Sequence, residues 1–476
     1  MKPDTHLPSP PPPSLGKRIL QAGAWSLSGY ALSQTVRFGS NLVMTRLLVP
    51  EMFGIMAIAN LLMVALTLLS DLGLRQNIIQ SRRGDDPRFL DTAWTVQIVR
   101  GALLGGAALG LAWILDVAQR MGATDPSRAY GNPVLPLVIA WVAASAPIAG
   151  FQSIRVATAV RHLQQRKVVW VELAGQVSGI AVTLAWAWVA PSIWALVAGN
   201  LAAAVGSTLA SHLLLPGPPQ RFAWDQSALS ELLGFGRWIL LSSAIGVLAV
   251  SADRLFLGAM VDAHLLGLYT IGQLIVTALE NGIARLFVTV SLPVMSEAAR
   301  QDRAGLRDLY HRLLAPFDIF LLFVAGFLFA GGQHLIALLY DPRYARAGAV
   351  LAVLSLSLPG LRFGMAYQLY LALGRPHLMT LISAVRLGAL VILLPAGFWL
   401  GGFSGAVWAI ALHNFLTAPL VLHFNRRLGI SSLRSDLRVL PCFPLGLALG
   451  WLLGPALSHL GLIPPAAGWA TTGVFP

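Results

Sequence analysis

The sequence predicts an all-α polytopic membrane protein: two six-helix lobes related by pseudo-two-fold symmetry around a central cavity, plus about one extra C-terminal helix. Three observations carry this reading. The 476 residues are 56% hydrophobic and only 11% charged, against roughly 45–50% and 25% in an ordinary soluble domain, which excludes a soluble globular enzyme. The apolar residues gather into stretches of about 20 or more, the length that crosses a ~30 Å hydrocarbon core. The first six stretches can also be laid on the next six at one fixed offset.

The elements follow in chain order. Residues 1–16 read as a proline-rich, disordered cytoplasmic tail, and Lys17 and Arg18 mark the membrane boundary. The apolar run behind them is too long for a signal peptide and is expected to be kept as the first span. The N-lobe (17–215) holds spans at approximately 19–48, 52–80, 91–117, 133–158, 168–190 and 192–215. A polar cytoplasmic linker (216–231) leads to the C-lobe (232–427), with spans at approximately 232–260, 265–293, 314–340, 346–373, 378–400 and 402–425. Residues 428–476 hold a thirteenth span near 439–458 and the tail GLIPPAAGWATTGVFP, too short and proline-broken for a confident fourteenth. The 46 glycines and 29 prolines are scattered through these runs, the usage of helices packed in lipid.

Loop charge tests the threading independently of hydropathy. Alternate connections hold Lys17 and Arg18, then Arg82, Arg83 and Arg88, then Arg161, Arg166 and Lys167, then Arg300, Arg303, Arg307 and Arg312, then Arg426, Arg427, Arg434 and Arg438. The other side is poor in charge, with Arg46, Arg120, Arg128, Arg343 and Arg346 as the main exceptions. The N-terminus is therefore expected in the cytoplasm, and topology rather than nucleic acid explains the formal charge of +13. The single cysteine, Cys442, falls in a span, so an internal disulfide and a multi-cysteine metal site are excluded. There is no P-loop, no H-E-x-x-H and no histidine cluster, and the longest loop is about 15–20 residues. No cofactor and no enzymatic activity are expected.

At an offset of about 213 residues Gly23 meets Gly236, Trp25 meets Trp238, Leu27 meets Leu240 and Ala31 meets Ala244. Further along, Leu42 meets Leu255, Gly54 meets Gly267, Ile58 meets Ile271 and Leu61 meets Leu274. The Gly and Trp pairs weigh most, since apolar matches arise by chance. An even number of spans separates the copies, so they run parallel, and transporters built this way bind substrate between the halves.

Charge inside the spans points to the cargo. Arg37, Arg100, Arg254, Arg285, Arg362 and Arg386 lie well inside, with only Asp253 and Glu280 at comparable depth. Each such charge costs a few kcal/mol even on lenient scales, and a site for an anion justifies the positive excess. Ser26, Tyr30, Ser33, Arg37, Ser40 and Asn41 share one face of the first helix, and the repeat places Arg254 opposite Asn41. Thr270, Gln273, Thr277, Glu280 and Asn281, with Arg285, form a second polar stripe. The candidate substrate contacts are Arg37, Arg254, Arg285, Arg362, Asn41 and Gln273. Glu280 and Asp253 are the candidate carriers of a coupling ion, H⁺ or Na⁺, if transport is driven uphill, although Asp253 could equally neutralise Arg254. Interhelical bonding is the competing reading of the arginines, and it weighs most at Arg100 and Arg386. Arg75, Arg155 and Arg237 are expected to snorkel at cytoplasmic helix ends, and Asp71 to pair with Arg75 four residues on. Pro359, Gly360 and Gly364 around Arg362 are expected to kink the tenth span as a candidate hinge, and Pro293 and Pro147 are weaker candidates.

Three stretches then resemble a known family. TRLLVPEMFGIMAIANLL from Thr45, SDLGLRQNIIQ from Ser70 and DTAWTVQIVRG from Asp91 resemble the polysaccharide-transport branch of the MOP flippases, and SADRLFLGAMVDAHLLGLYTIGQLI from Ser251 is similar to that family's seventh and eighth helices. The resemblance covers about residues 15–430. It implies two six-helix lobes in a V around a cavity lined with arginines, with Arg37 and Arg285 at positions resembling the family's cavity arginines. It further implies a bacterial inner-membrane flippase for undecaprenyl-pyrophosphate-linked oligosaccharide, an exopolysaccharide or O-antigen repeat unit, moved by alternating access. Polysaccharide polymerase and assembly proteins would be partners beside the bilayer. Many relatives have fourteen spans, against thirteen expected here. The alternatives are a multidrug/ion antiporter of the same superfamily, which an excess of deep acids would favour, and a membrane polysaccharide polymerase, which a large outer loop would favour.

Overall fold

A computed structural model of the chain describes residues 15–215, 217–301, 306–373, 375–430 and 439–462. Residues 1–14 of the expected tail, Arg303, Arg434, Arg438 and the residues after 462 lie outside the described residues. So do the side chains of Lys17, Arg18, Arg237, Trp238, Pro293 and Arg300.

The N-lobe contains α1 (Leu15–Leu47), α2 (Pro50–Leu69), α3 (Leu74–Gln80), α4 (Pro87–Arg120), α5 (Leu135–Ala143), α6 (Ser145–Gly150), α7 (Arg155–Arg161), α8 (Gln165–Val189) and α9 (Ile193–Leu214). The C-lobe contains α10 (Gln226–Met260), α11 (Ala263–Gln301), α12 (Leu306–Leu339), α13 (Ala345–Ser355), α14 (Leu361–Ala372), α15 (Pro376–Leu412) and α16 (Ala418–Arg427), followed by α17 (Cys442–His459). Among the described residues no strand occurs, and nine stretches are long and apolar enough to cross a membrane, ten if α5 and α6 with α7 form one bent span. This is a multi-pass membrane protein. Its exposed large apolar side chains, including Leu103, Trp113, Trp188, Leu213, Trp399 and Leu400, suit a surface bathed in lipid.

The spans break where the local chemistry asks for it. The expected span 52–80 stops at Leu69, because Gly73 takes a left-handed conformation (φ 57°) and Asp71 Oδ1 accepts its N–H at 2.9 Å. The tenth span divides into α13 and α14 across a 3₁₀ turn, Leu358–Gly360, at the expected proline and glycine. The eleventh and twelfth spans are parted within α15 at Gly401 and Gly402, the latter with φ 57°.

Small residues let helices approach closely without a hydrophobic drive between them. Gly446 and Gly450 on α17 face the backbone carbonyls of Phe323 and Phe327 on α12, and Gly454 faces His334. The opposite side of α17 exposes Leu445, Leu449, Trp451 and Leu452. The thirteenth span is thus a lipid-facing helix held on the C-lobe by its glycine face. Gly450→Ile is expected to force α17 off α12 at an overpacking cost of about 1–3 kcal/mol, read as a lower thermal midpoint in detergent.

The lobes meet at the end opposite the basic loops, and they meet on repeat-related residues. A side chain at Gly54 would strike Ala263, and one at Gly267 would strike Pro50. His264 Nδ1 lies 2.6 Å from Glu51 Oε1, residues separated by 213 positions. Glu51 with His264, Pro50 with Ala263 and Gly54 with Gly267 are all pairs under the repeat offset, so the pseudo-two-fold axis passes through this contact. Tyr344 closes the same end, its hydroxyl donating to the Leu48 carbonyl at 2.8 Å.

At the basic end the connection between lobes is fastened to the N-lobe. The N–H groups of Arg221, Ala223 and Asp225 are accepted by Asp91 Oδ1, Thr95 Oγ1 and Thr92 Oγ1 at 3.1–3.2 Å. Phe222 packs on Trp94, and Ala228 and Leu232 join the buried cluster of Leu74, Ile78 and Phe89. Arg155 does not snorkel: its guanidinium holds the carbonyls of Leu215 at 2.7 Å and of Pro218. The first turns of α10 therefore pack with the N-lobe, ahead of the expected boundary at residue 232.

Candidate substrate cavity

Between the lobes lies a cavity of about 1100 Å³. Its wall comes mostly from the N-lobe (α1 to α6, α8 and α9), with α10 and α11 on the other side. Among the described residues four arginines line it, Arg37, Arg75, Arg100 and Arg254, against two acids, Asp71 and Glu172. Amides complete the wall, among them Asn60, Gln176 and Asn200. Several are committed to helix packing: Gln176 donates to the Ser33 carbonyl and accepts from its hydroxyl, at 2.8 and 2.7 Å, and Asn200 donates to Asn60 at 3.3 Å.

Arg37 projects from α1 into the cavity, exposed and with no polar partner among the described residues. Arg254 lines the opposite wall and is held by its Nε–H, which donates to Gln273 Oε1 at 2.9 Å. Gln273 in turn donates through Nε2 to Asp253 at 2.8 Å, and Tyr269 donates its hydroxyl to the same carboxylate at 2.5 Å. Asp253 is buried, and neither it nor Gln273 is part of the cavity wall. The acid thus orients Arg254 through an amide rather than pairing with it directly.

The remaining candidates lie elsewhere. Asn41 is half-buried outside the wall, its Oδ1 without a hydrogen bond among the described residues. Arg285 stands over the ring of Tyr30 at 4.4 Å, and Tyr30, itself a wall residue, donates to the Ala278 carbonyl at 3.4 Å. Arg285 therefore joins α1 to α11 beside the cavity. Glu280 accepts from Ser357 Oγ at 2.9 Å, also off the wall. Arg362 lines a separate small pocket with Tyr310, His311 and Asn425, and its Nη1 lies 3.6 Å from buried Asp318. Asp318 is an acid that the sequence count of deep carboxylates omits. It is hidden in the apolar run LAPFDIFLLF, and it offsets one of the arginines otherwise unmatched.

That pair carries a stability prediction. Arg362→Leu leaves Asp318 short of its cation at low dielectric and is expected to cost about 3 kcal/mol. Adding Asp318→Leu is expected to restore most of the loss, and thermal unfolding of both variants in detergent checks it.

Two further wall residues owe their positions to the helix break after α2. Arg75 does not pair with Asp71, because the helix breaks between them and Asp71 caps Gly73 instead. Arg100 donates from Nε to Ser70 Oγ at 3.2 Å and from Nη2 to the Thr67 carbonyl at 2.6 Å, capping the end of α2 while facing the cavity. The signal for both is the helix-breaking Asp-Leu-Gly at 71–73. Chemically the cavity offers planar guanidinium donors, which suit phosphate oxygens, beside amides and hydroxyls able to meet sugar hydroxyls. Among the described residues no group of three metal-ligating side chains lies together.

The signature of the polysaccharide biosynthesis protein family matches residues 43–349. The chain belongs to this family. No curated protein sequence matches the chain significantly. Its fold is that of the MOP superfamily. The lipid II flippase MurJ in an inward closed conformation superposes with a TM-score of 0.65 at 11% identity, covering 93% of this chain and 98% of MurJ. An inward-facing multidrug resistance MATE family transporter superposes at 0.58 and 13% identity, covering 85% and 94%. A MOP superfamily transporter from Pyrococcus furiosus, described as having a binding pocket of reverse polarity, gives 0.52 at 15% identity, covering 87% and 96%. Family and fold both agree with the sequence resemblance: a polysaccharide biosynthesis family and a two-lobed helical fold shared with transporters of that superfamily.

Proposed function

We propose that the protein flips an undecaprenyl-pyrophosphate-linked oligosaccharide, the repeat unit of a surface polysaccharide, across the bacterial inner membrane by alternating access. The observation that carries this is the arginine-rich wall with Arg37 unclaimed by any polar group among the described residues. A guanidinium kept ready inside an apolar body favours an anion. In this reading the basic end is cytoplasmic, and the cavity receives the diphosphate while the prenyl chain stays in lipid. The amides of the N-lobe meet the sugar. Asp253 and Glu280 would carry H⁺ or Na⁺ if the flip is driven, and a polysaccharide polymerase on the far side would consume the product. A cation-exporting antiporter is disfavoured, because the deep acids Asp253 and Glu280 lie off the wall.

Deleting the gene in its host tests the reading. Surface polysaccharide is expected to vanish while lipid-linked repeat units collect on the cytoplasmic leaflet. Collection on the outer leaflet would instead assign the protein to polymerisation.

A further inference from the structure

We propose that Arg75 and Arg100 form a second anion station in the cavity, nearer the basic end than Arg37 and Arg254, which takes the diphosphate headgroup of the lipid-linked sugar before it passes to the deeper pair. The proposal rests on the cargo reading above. Its grounds are the helix break and the positions of the four arginines.

At the break after α2, the helical register that would have set Asp71 against Arg75 is lost. Asp71 turns to the Gly73 N–H. Arg75, on the first turn of α3, is left exposed on the cavity wall with no hydrogen bond or ion pair among the described residues. Arg100 reaches the same break from α4, where Ser70 and Thr67 take two of its donors. A guanidinium has five N–H donors, so about three remain for a ligand. One arginine is anchored and the other is free to close on whatever the first has met.

Depth separates this pair from the other. By helical rise Arg100 lies about 20 Å from the basic-end start of α4, and Arg37 about 33 Å from that of α1. Arg254 is within about 9 Å of the far end of α10. One diphosphate cannot bridge the two levels, so each pair must serve the headgroup at a different stage. Two moderate sites in series also let a charge enter an apolar body without a single deep well that would hold it.

The test uses the full-length protein in detergent, with geranyl pyrophosphate and inorganic pyrophosphate as probes in separate calorimetric arms, and proteoliposome initial rates against concentration of lipid-linked oligosaccharide. Arg75→Ala is expected to weaken geranyl pyrophosphate binding, and to raise the half-saturating concentration, by about tenfold, the value of one charge-assisted contact. Arg75→Gln should behave alike, and Arg75→Lys should recover most of the loss. Arg37→Ala should instead depress the maximal rate. Native half-saturation in Arg75→Ala and Arg75→Gln, with Arg37→Ala impaired, would overturn the station and leave the cargo reading standing. A native protein that binds neither diphosphate would overturn both. Tighter binding of the prenyl ester supports a lipid headgroup, and equal affinity for the two probes would overturn that assignment in favour of a soluble phosphate.

Discussion

Gly267→Leu is expected to keep the lobes from closing at the end opposite the basic loops and to reduce transport by at least about tenfold. A side chain at Gly267 meets the backbone of Pro50, and one at Gly54 meets the backbone of Ala263. Neither obstacle is the movable tip of a flexible side chain, so the helices themselves must separate. Overpacking costs about 1–3 kcal/mol, and 1.4 kcal/mol already shifts a two-state population tenfold. The readout is a single-cysteine protein, with Cys442 replaced by serine and Thr277 on the cavity wall replaced by cysteine. Labelling by an impermeant thiol reagent from the far side should rise in Gly267→Leu and in Gly54→Leu. Gly106→Leu, where nothing lies within 4 Å, should label as the parent does.

Arg37→Ala is expected to reduce flipping by about 10- to 100-fold, corresponding to one charged hydrogen-bonding group worth about 1.5–3 kcal/mol. Arg37 spends no donor on the protein among the described residues, so its removal should leave folding intact and the loss should fall on transport. Arg254 differs, because Gln273, Asp253 and Tyr269 stand behind it. Gln273→Leu should loosen Arg254 without removing the charge and give a smaller loss, near tenfold. Arg37→Lys should keep part of the activity, since an ammonium retains the charge but not the planar fork. Initial rates in proteoliposomes and thermal midpoints of the same preparations check both expectations.

The lobes, the repeat and the broken tenth span were legible because each rests on a local or periodic signal: apolar length, an offset of equivalent residues, a proline beside a glycine. The repeat pairs Gly54 with Gly267, yet pairing states equivalence and not contact. Equivalent residues touch only when they lie near the symmetry axis, and that needs coordinates. Cavity membership was legible only in part. Arg37 and Arg254 line the wall as their helical faces suggest, whereas Arg362 sits beside Asp318, a residue 44 positions earlier on another helix, which no periodicity along one helix can reveal. A helix running unbroken through 52–80 would put Arg75 at its cytoplasmic end. Asp-Leu-Gly, a turn signal embedded in an amphipathic run, ends that helix at Leu69 and turns Arg75 inward.

In the proposed mechanism the cavity arginines carry the anionic headgroup of a lipid-linked oligosaccharide across the membrane. Its most direct test is translocation of undecaprenyl-pyrophosphate-linked oligosaccharide by the purified protein in proteoliposomes, beside Arg37→Ala and a parallel assay with an organic cation. The native protein is expected to flip the lipid, Arg37→Ala to fold but flip it about 10- to 100-fold more slowly, and the cation to stay where it was. A native protein that moves the organic cation and leaves the lipid-linked sugar in place would contradict it.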